Sequence, residues 1–187
     1  MESMHPSEGG WIEVVCGCMY SGKSEELIRR LRRAQIANQN VLIIKPAIDN
    51  RYEESFIVSH SEQRLRSVAL DDAADIPKLA EDAVVVGIDE AQFFGMPLLP
   101  VIEKLADAGK RIIIAGLDMD YKNEPFDPMP QILAKAEYIT KTLAICMQCG
   151  RPASRTQRLS HSSERVLIGG KGVYEARCRK CHTVHQE

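Results

Sequence analysis

Between the apolar run WIEVVC and the amphipathic run KSEELIRRLRRAQIAN lies the octet GCMYSGKS, residues 17–24. It matches G-x-x-x-x-G-K-[ST] at Gly17, Gly22, Lys23 and Ser24. In such a loop the glycines allow a tight turn whose backbone N–H groups converge on phosphate oxygens. The lysine reaches the β- and γ-phosphates, and the hydroxyl completes a magnesium shell. A helix beginning at the loop adds the positive end of its dipole. Because the pattern sits between a strand signal and a helix signal, it predicts a phosphate-binding loop rather than a glycine-rich turn.

Strand and helix signals go on alternating downstream. NVLIIKP, VVVGID and RIIIAGLD are short, continuous apolar runs suited to strands buried on both faces. DIPKLAEDA and LLPVIEKLADAG, the latter stopping at Gly109, read as helices between them. In the first helix Leu27, Leu31 and Ala34 share one face, with Arg29, Arg30, Arg32 and Arg33 largely off it as a solvated basic cluster. Alternating strands and helices with short links predict an α/β fold, a parallel sheet covered by helices on both sides.

Acid at the end of a neighbouring buried strand is the next requirement of a magnesium-dependent phosphate loop. VVVGIDE supplies Asp89 and Glu90 in tandem, one for the metal and one as a base, and RIIIAGLD ends at Asp118. For Asp118, a polar strand end and a substrate-facing role stand level. A base at Glu90 suits a kinase that deprotonates an organic hydroxyl and equally an ATPase that activates water. The residues alone leave that choice open.

Six cysteines occur in the chain. Cys16 and Cys18 flank Gly17 and are expected to pack near the loop. CMQC and CRKC pair Cys146 with Cys149 and Cys178 with Cys181. In a chain with reduced thiols, paired C-x-x-C motifs predict a closed, structural four-thiolate zinc site. His182, directly after Cys181, is a competing ligand. His5, His60, His161 and His185 read as surface residues. The polar stretch at residues 151–165 shows neither strand nor helix period and reads as a long loop pinned at its base by the metal. Loop closure costs entropy that grows slowly with length, so one ion can hold it.

At 44% hydrophobic and 27% charged over 187 residues, the composition is that of a folded globular chain. A net charge of -2 offers no general attraction to nucleic acid. No apolar run is long enough for a membrane helix, and MESMHPSEGG lacks the features of a signal peptide. The expectations are a cytoplasmic protein without membrane or nucleic-acid partners. Its organisation would be a flexible tail over residues 1–10, a nucleotide domain over 11–143 and a zinc domain over 144–187.

GCMYSGKS, DNRY, GIDEAQFF, GLDMDYKNEPFDPMP, the two C-x-x-C pairs and LIGGKGVYEARCRKC occur in that order. Together they resemble the cytosolic, zinc-containing thymidine kinase family across about residues 11–182. The resemblance implies transfer of the ATP γ-phosphoryl group to the 5′-hydroxyl of thymidine, with Mg²⁺ accompanying ATP and a structural Zn²⁺. It also implies a homotetramer and feedback inhibition by dTTP. By matching positions, Glu90 is the general base, and Ser24 and Asp89 hold magnesium. Gly17, Cys18, Met19, Tyr20, Ser21, Gly22, Lys23, Ser24, Asp49, Arg51, Asp89 and Gln92 fall at the ATP site. Met19, Phe93, Leu117, Tyr121 and Phe126 line the nucleoside pocket. Thr156, Arg165, Val166, Leu167, Ile168, Gly169 and Tyr174 fall in or beside a lasso that closes over the nucleoside. Cys146, Cys149, Cys178 and Cys181 hold the zinc. The family usually has proline at position 18 and phenylalanine at 20 and 121. Cys18 therefore suggests an oxidation-sensitive loop, and Tyr121 adds a hydroxyl at the pocket wall.

Three rivals bear stating. An ATPase with a nucleic-acid-gripping zinc module would use the arginine cluster. A kinase for another nucleoside, such as deoxyuridine, would share every motif. A nucleotide sensor would bind without turnover.

Overall fold

The computed structural model describes residues 9–48, 56–58, 64–160 and 172–184. Asp49, Arg51, Arg165, Val166, Leu167, Ile168 and Gly169 lie outside these described residues, as do His5, His60, His161, His185 and most of the expected tail.

The chain runs β1 (Trp11–Cys16), α1 (Lys23–Ile36), β2 (Val41–Pro46), β3 (Phe56–Val58), β4 (Arg64–Arg66), β5 (Val68–Leu70), α2 (Ile76–Leu79), β6 (Val85–Ile88), α3 (Leu98–Asp107), β7 (Arg111–Gly116), α4 (Met129–Lys135) and β8 (Tyr138–Lys141). It ends with β9 (Ala144–Ile145), β10 (Pro152–Ala153), β11 (Arg155–Arg158) and β12 (Tyr174–Arg177). Six strands form one sheet in the order β5-β2-β6-β7-β1-β8, and every pairing within it is parallel. The apolar runs of β1, β2, β6 and β7 become its centre, where burial on both faces requires continuous hydrophobicity.

The pleat divides the core in two. Ile112 and Ile114 of β7 join Val86, Ile88, Val14 and Ile44 beneath Ile76, Leu98, Ile102, Met129 and Ile132 of α2, α3 and α4. Ile113 and Ala115 turn the other way and meet Leu27, Ile28, Leu31 and Ala34 of α1. Helices cover both faces, as the alternation predicts. At Gly87 a Cβ would lie 2.7 Å from the Leu31 side chain, so only glycine lets α1 approach β6 this closely.

One feature of α1 departs from the sequence reading. Arg30 is not part of a solvated face: NH1 donates to Glu13 Oε2 at 2.8 Å, Nε to Glu26 Oε1 at 2.7 Å and NH2 to Thr140 Oγ1 at 2.9 Å. Glu13, buried on β1, also accepts Arg111 Nε at 2.6 Å and Trp11 Nε1 at 2.8 Å. Burial pushes the Glu13 carboxyl upward, but the bonds from Arg111 and Trp11 and the charges of Arg111 and Arg30 outweigh it and hold the carboxyl below its usual range. A lone buried carboxylate would be costly, and these partners satisfy it. Arg29, Arg32 and Arg33 are exposed.

The polar stretch expected to be a loop is the larger correction. Within it β10 pairs with β9, and β11 pairs antiparallel with β12, placing Thr156 opposite Ala176 and Arg158 opposite Tyr174. All four residues of β11 are buried although none is apolar. No period is visible because both faces of the strand are buried, with Thr156 bonded to Met19, Gln157 to Thr183 and Arg158 to Tyr174. Among the described residues, no helix is long and apolar enough to cross a membrane.

Candidate active site and metal centre

The loop after β1, the residues after β6 and β7, and Thr142 after β8 all emerge at the carboxyl edge of the parallel strands. That edge is where open α/β sheets bind ligands. Gly17, with φ 149°, lies where a Cβ would strike the Thr142 carbonyl oxygen at 2.4 Å. Tyr20 and Gly22 have φ of 65° and 84°, and Gly22 caps α1 in the left-handed conformation. This is the sharply turned backbone of a phosphate-cradling nest at a helix start. Ser21 Oγ donates to Thr142 Oγ1 at 2.8 Å, which donates on to the Cys16 carbonyl at 3.1 Å, tying the loop to the edge strand. The Lys23 ammonium is buried under the loop and donates to the Cys18 carbonyl at 2.8 Å.

Ser24 Oγ donates to Asp89 Oδ1 at 3.3 Å. These two hard oxygen donors fit a magnesium ion carried with phosphate. Asp89 Oδ1 also accepts the Glu90 amide at 3.0 Å. Glu90 itself adopts φ 49° and ψ 42°, a left-handed conformation uncommon outside glycine. That turn swings its side chain to the same edge as Asp89, so adjacent residues of one strand end serve one site. Glu90 lines a cavity together with Met19, Tyr20, Ser21, Gly22, Lys23, Ser24 and Glu25. Gln92, buried, accepts the Leu117 amide on Oε1 at 3.0 Å and donates from Nε2 to Glu90 Oε2 at 2.6 Å.

Phe93, next to Gln92, and Phe126 meet edge to face, with centroids 6.2 Å apart and planes at 89°. The Phe126 amide donates to the Asp118 carbonyl at 3.1 Å, and Asp120 Oδ1 shapes the intervening turn by accepting the Lys122 and Glu124 amides at 2.9 and 3.0 Å. The Asp118 carboxylate, buried, receives Lys141 Nζ at 2.6 Å on Oδ2.

Strand β11 touches both sides of the site. Thr156 Oγ1 accepts the Met19 amide of the phosphate loop at 3.1 Å. The Arg158 guanidinium lies 3.6 Å from the Tyr121 ring centroid, and its NH2 donates to Tyr174 Oη at 2.6 Å. Gln157 exchanges hydrogen bonds with the Thr183 amide and carbonyl, both 2.8 Å. Tyr20 Oη donates to the Tyr174 carbonyl at 3.1 Å. Arg158 was invisible to motif reasoning, since a lone arginine in a polar stretch carries no signal of burial.

Cys146, Cys149, Cys178 and Cys181 place their sulfurs within 4.8 Å of one another. Tetrahedral thiolates about 2.3 Å from zinc are about 3.8 Å apart, so the donor set fits such an ion. Each pair sits on a tight turn, the Gly150 amide donating to the Cys146 carbonyl at 2.9 Å and the Cys181 amide to that of Cys178 at 3.1 Å. Arg151 Nε donates to Cys149 Sγ at 3.4 Å, and this bond holds the thiol down at about 6. His182 does not compete for the ion: its Nε2 donates to the Tyr121 carbonyl at 3.0 Å. Beside the cluster, Cys18 packs with Ala144, Ala153 and Ala176. Its thiol donates to the Ala153 carbonyl at 3.4 Å, and burial pushes it up. A buried thiol of this kind is unreactive, which removes the basis for an oxidation-sensitive loop.

The thymidine kinase family profile matches residues 10–182. A curated thymidine kinase from Rhodothermus sp. (strain ITI 518) is 56% identical over 177 residues, covering 95% of this chain and 83% of the relative. Among solved structures, the flagellar accessory protein FlaH from Methanocaldococcus jannaschii superposes with a TM-score of 0.51 at 12% identity, covering 78% of this chain and 76% of that one. At that identity the likeness concerns the fold alone.

Proposed function

The chain belongs to the thymidine kinase family, and from that premise we propose that it passes the γ-phosphoryl group of ATP to the 5′-hydroxyl of thymidine, giving dTMP. The observation that carries the reading is that Glu90 shares one cavity with the phosphate loop while Asp89, its neighbour, pairs with Ser24.

In this mechanism residues 17–24 cradle the phosphates through their amides, and Lys23 leaves the Cys18 carbonyl to meet the β- and γ-oxygens. Ser24 and Asp89 would hold Mg²⁺, which would neutralise charge on the phosphates. Glu90 takes the proton of the 5′-hydroxyl as it attacks, so the proton moves to the carboxylate while the γ-phosphoryl leaves ADP. Asp49 and Arg51 complete the ATP side, and Gln92, expected among the ATP contacts, bonds Glu90 and Leu117. Met19, Phe93, Leu117, Tyr121 and Phe126 surround the base, with Thr156, Tyr174 and residues 165–169 closing over it. Closure excludes water, so that the nucleoside and not water receives the phosphoryl group.

The four cysteines hold a structural Zn²⁺ that anchors a module over residues 144–187 against the nucleotide domain of residues 11–143. A cytoplasmic homotetramer under feedback inhibition by dTTP completes the reading. The ATPase alternative loses part of its basis, since Arg29 and Arg30 of the supposed nucleic-acid patch are paired with Glu26.

Incubation with ATP and Mg²⁺ against a panel of nucleosides and water tests the assignment. Thymidine 5′-monophosphate as the main product is expected. ADP released without a phosphorylated nucleoside would overturn it.

A further inference from the structure

Gln92 spans two parts of the site, the residues that follow the paired strands β6 and β7. It is 3% exposed and sits in the single turn of 3-10 helix at Ala91–Phe94. Its carbonyl oxygen accepts the amide of Leu117, the first residue beyond β7. Its amide nitrogen donates to Glu90 Oε2 at 2.6 Å. Gly116 permits this approach: a Cβ there would stand 2.9 Å from Gln92 Oε1 and 2.7 Å from Met129 Sδ. Both ends of the amide are thus engaged within the protein.

We propose that Gln92 is a positioning residue, orienting the Glu90 carboxylate and fixing its distance from the nucleoside wall at Leu117. The inference rests on Glu90 acting as the base. An amide suits the task because it donates to a carboxylate without titrating itself, and it distinguishes its two partners by polarity: oxygen to the Leu117 N–H, nitrogen to the Glu90 carboxylate. The Glu90 backbone turns through a left-handed conformation and leaves the side chain to be aimed by such contacts. Leu117 supplies a rigid reference, since its amide continues directly from a central strand of the sheet.

Two variants separate this role from a structural one. Gln92→Met keeps the length and loses both bonds. Gln92→Glu keeps an acceptor for Leu117 but loses the donor and opposes a second carboxylate to Glu90. Both are expected to lower kcat by about 10- to 100-fold, as misplaced catalytic groups do, with the Kd for ATP within about two-fold of wild type. The double variant Glu90→Gln/Gln92→Met is expected to be no slower than Glu90→Gln alone, because a residue acting through Glu90 has nothing left to position.

Wild-type kcat in Gln92→Met would overturn the proposal. So would full activity in Gln92→Glu beside a slow Gln92→Met, which would leave only an anchor for Leu117. An ATP Kd weakened in step with the rate would make Gln92 a nucleotide contact instead. Additive losses in the double variant would also overturn it. Undiminished activity in Glu90→Gln is the distinct result that removes the base assignment itself.

Discussion

The Met19 amide of the phosphate loop donates to the Thr156 hydroxyl of β11 at 3.1 Å, joining residues 137 positions apart. The nucleotide-binding turn is therefore completed by a strand from the cysteine-bearing end of the chain. Thr156 is 4% exposed, so removal of its oxygen strands a buried amide. Thr156→Val should cost about 1–3 kcal/mol and weaken ATP binding. Thermal melting and ATP titration of the variant check this; unchanged values in both would contradict it.

Metal removal should act on the same contact from a distance. Cys18 shares one buried cluster with Ala153, Ala176, Cys146 and Cys178, so the phosphate loop packs with part of the candidate metal site. Closed four-thiolate sites contribute directly to folding. Cys149→Ser should lower bound zinc, measured by elemental analysis, and reduce ATP affinity together with the melting temperature. A variant that loses zinc but keeps both would show the module to be independent of the loop.

Arg158 clasps the pocket wall by lying against Tyr121 and bonding Tyr174. A desolvated stacked cation contributes about 1–2 kcal/mol, and lysine lacks the planar fork that makes both contacts. Arg158→Lys should raise the KM for thymidine roughly 5- to 30-fold while moving that for ATP much less. An equal change in both constants would indicate a general loss of structure.

Acid sensitivity has a definite source at Glu26. The Arg29 hydrogen bond, opposed by partial burial and aided by Arg30, holds its carboxyl at about 2, against 4.5 in an open chain. Because the folded value is the lower one, the stabilisation is complete above 4.5 and is lost as pH falls toward 2. Glu26→Gln should be less stable than wild type at pH 7, with the gap closing between about pH 5 and pH 2. Urea midpoints across that range give the test.

The phosphate loop, β1, β2, β6, β7 and the cysteine pairs are each specified by neighbours in the chain, so local pattern sufficed. The outer strands β5 and β8 carry mixed burial and no continuous apolar run, and α4 is a short helix without its own clear period. β11 was hidden for a different reason: Arg155, Thr156, Gln157 and Arg158 look solvent-facing, and the partners that satisfy Thr156, Gln157 and Arg158 lie elsewhere along the chain. Arg30 misled in the same way, its charge answered by Glu13 on a strand. Gln92 carried no signal for its link to Leu117 and Glu90, which exists only after β6 and β7 are paired.

In the proposed mechanism Glu90 removes the proton from the 5′-hydroxyl of thymidine. Its most direct test is single-turnover phosphoryl transfer to thymidine by Glu90→Gln, with ATP binding measured on the same sample. Transfer slower by about 10²- to 10⁴-fold, with ATP still bound near wild-type affinity, is expected. Transfer at the wild-type rate would contradict it.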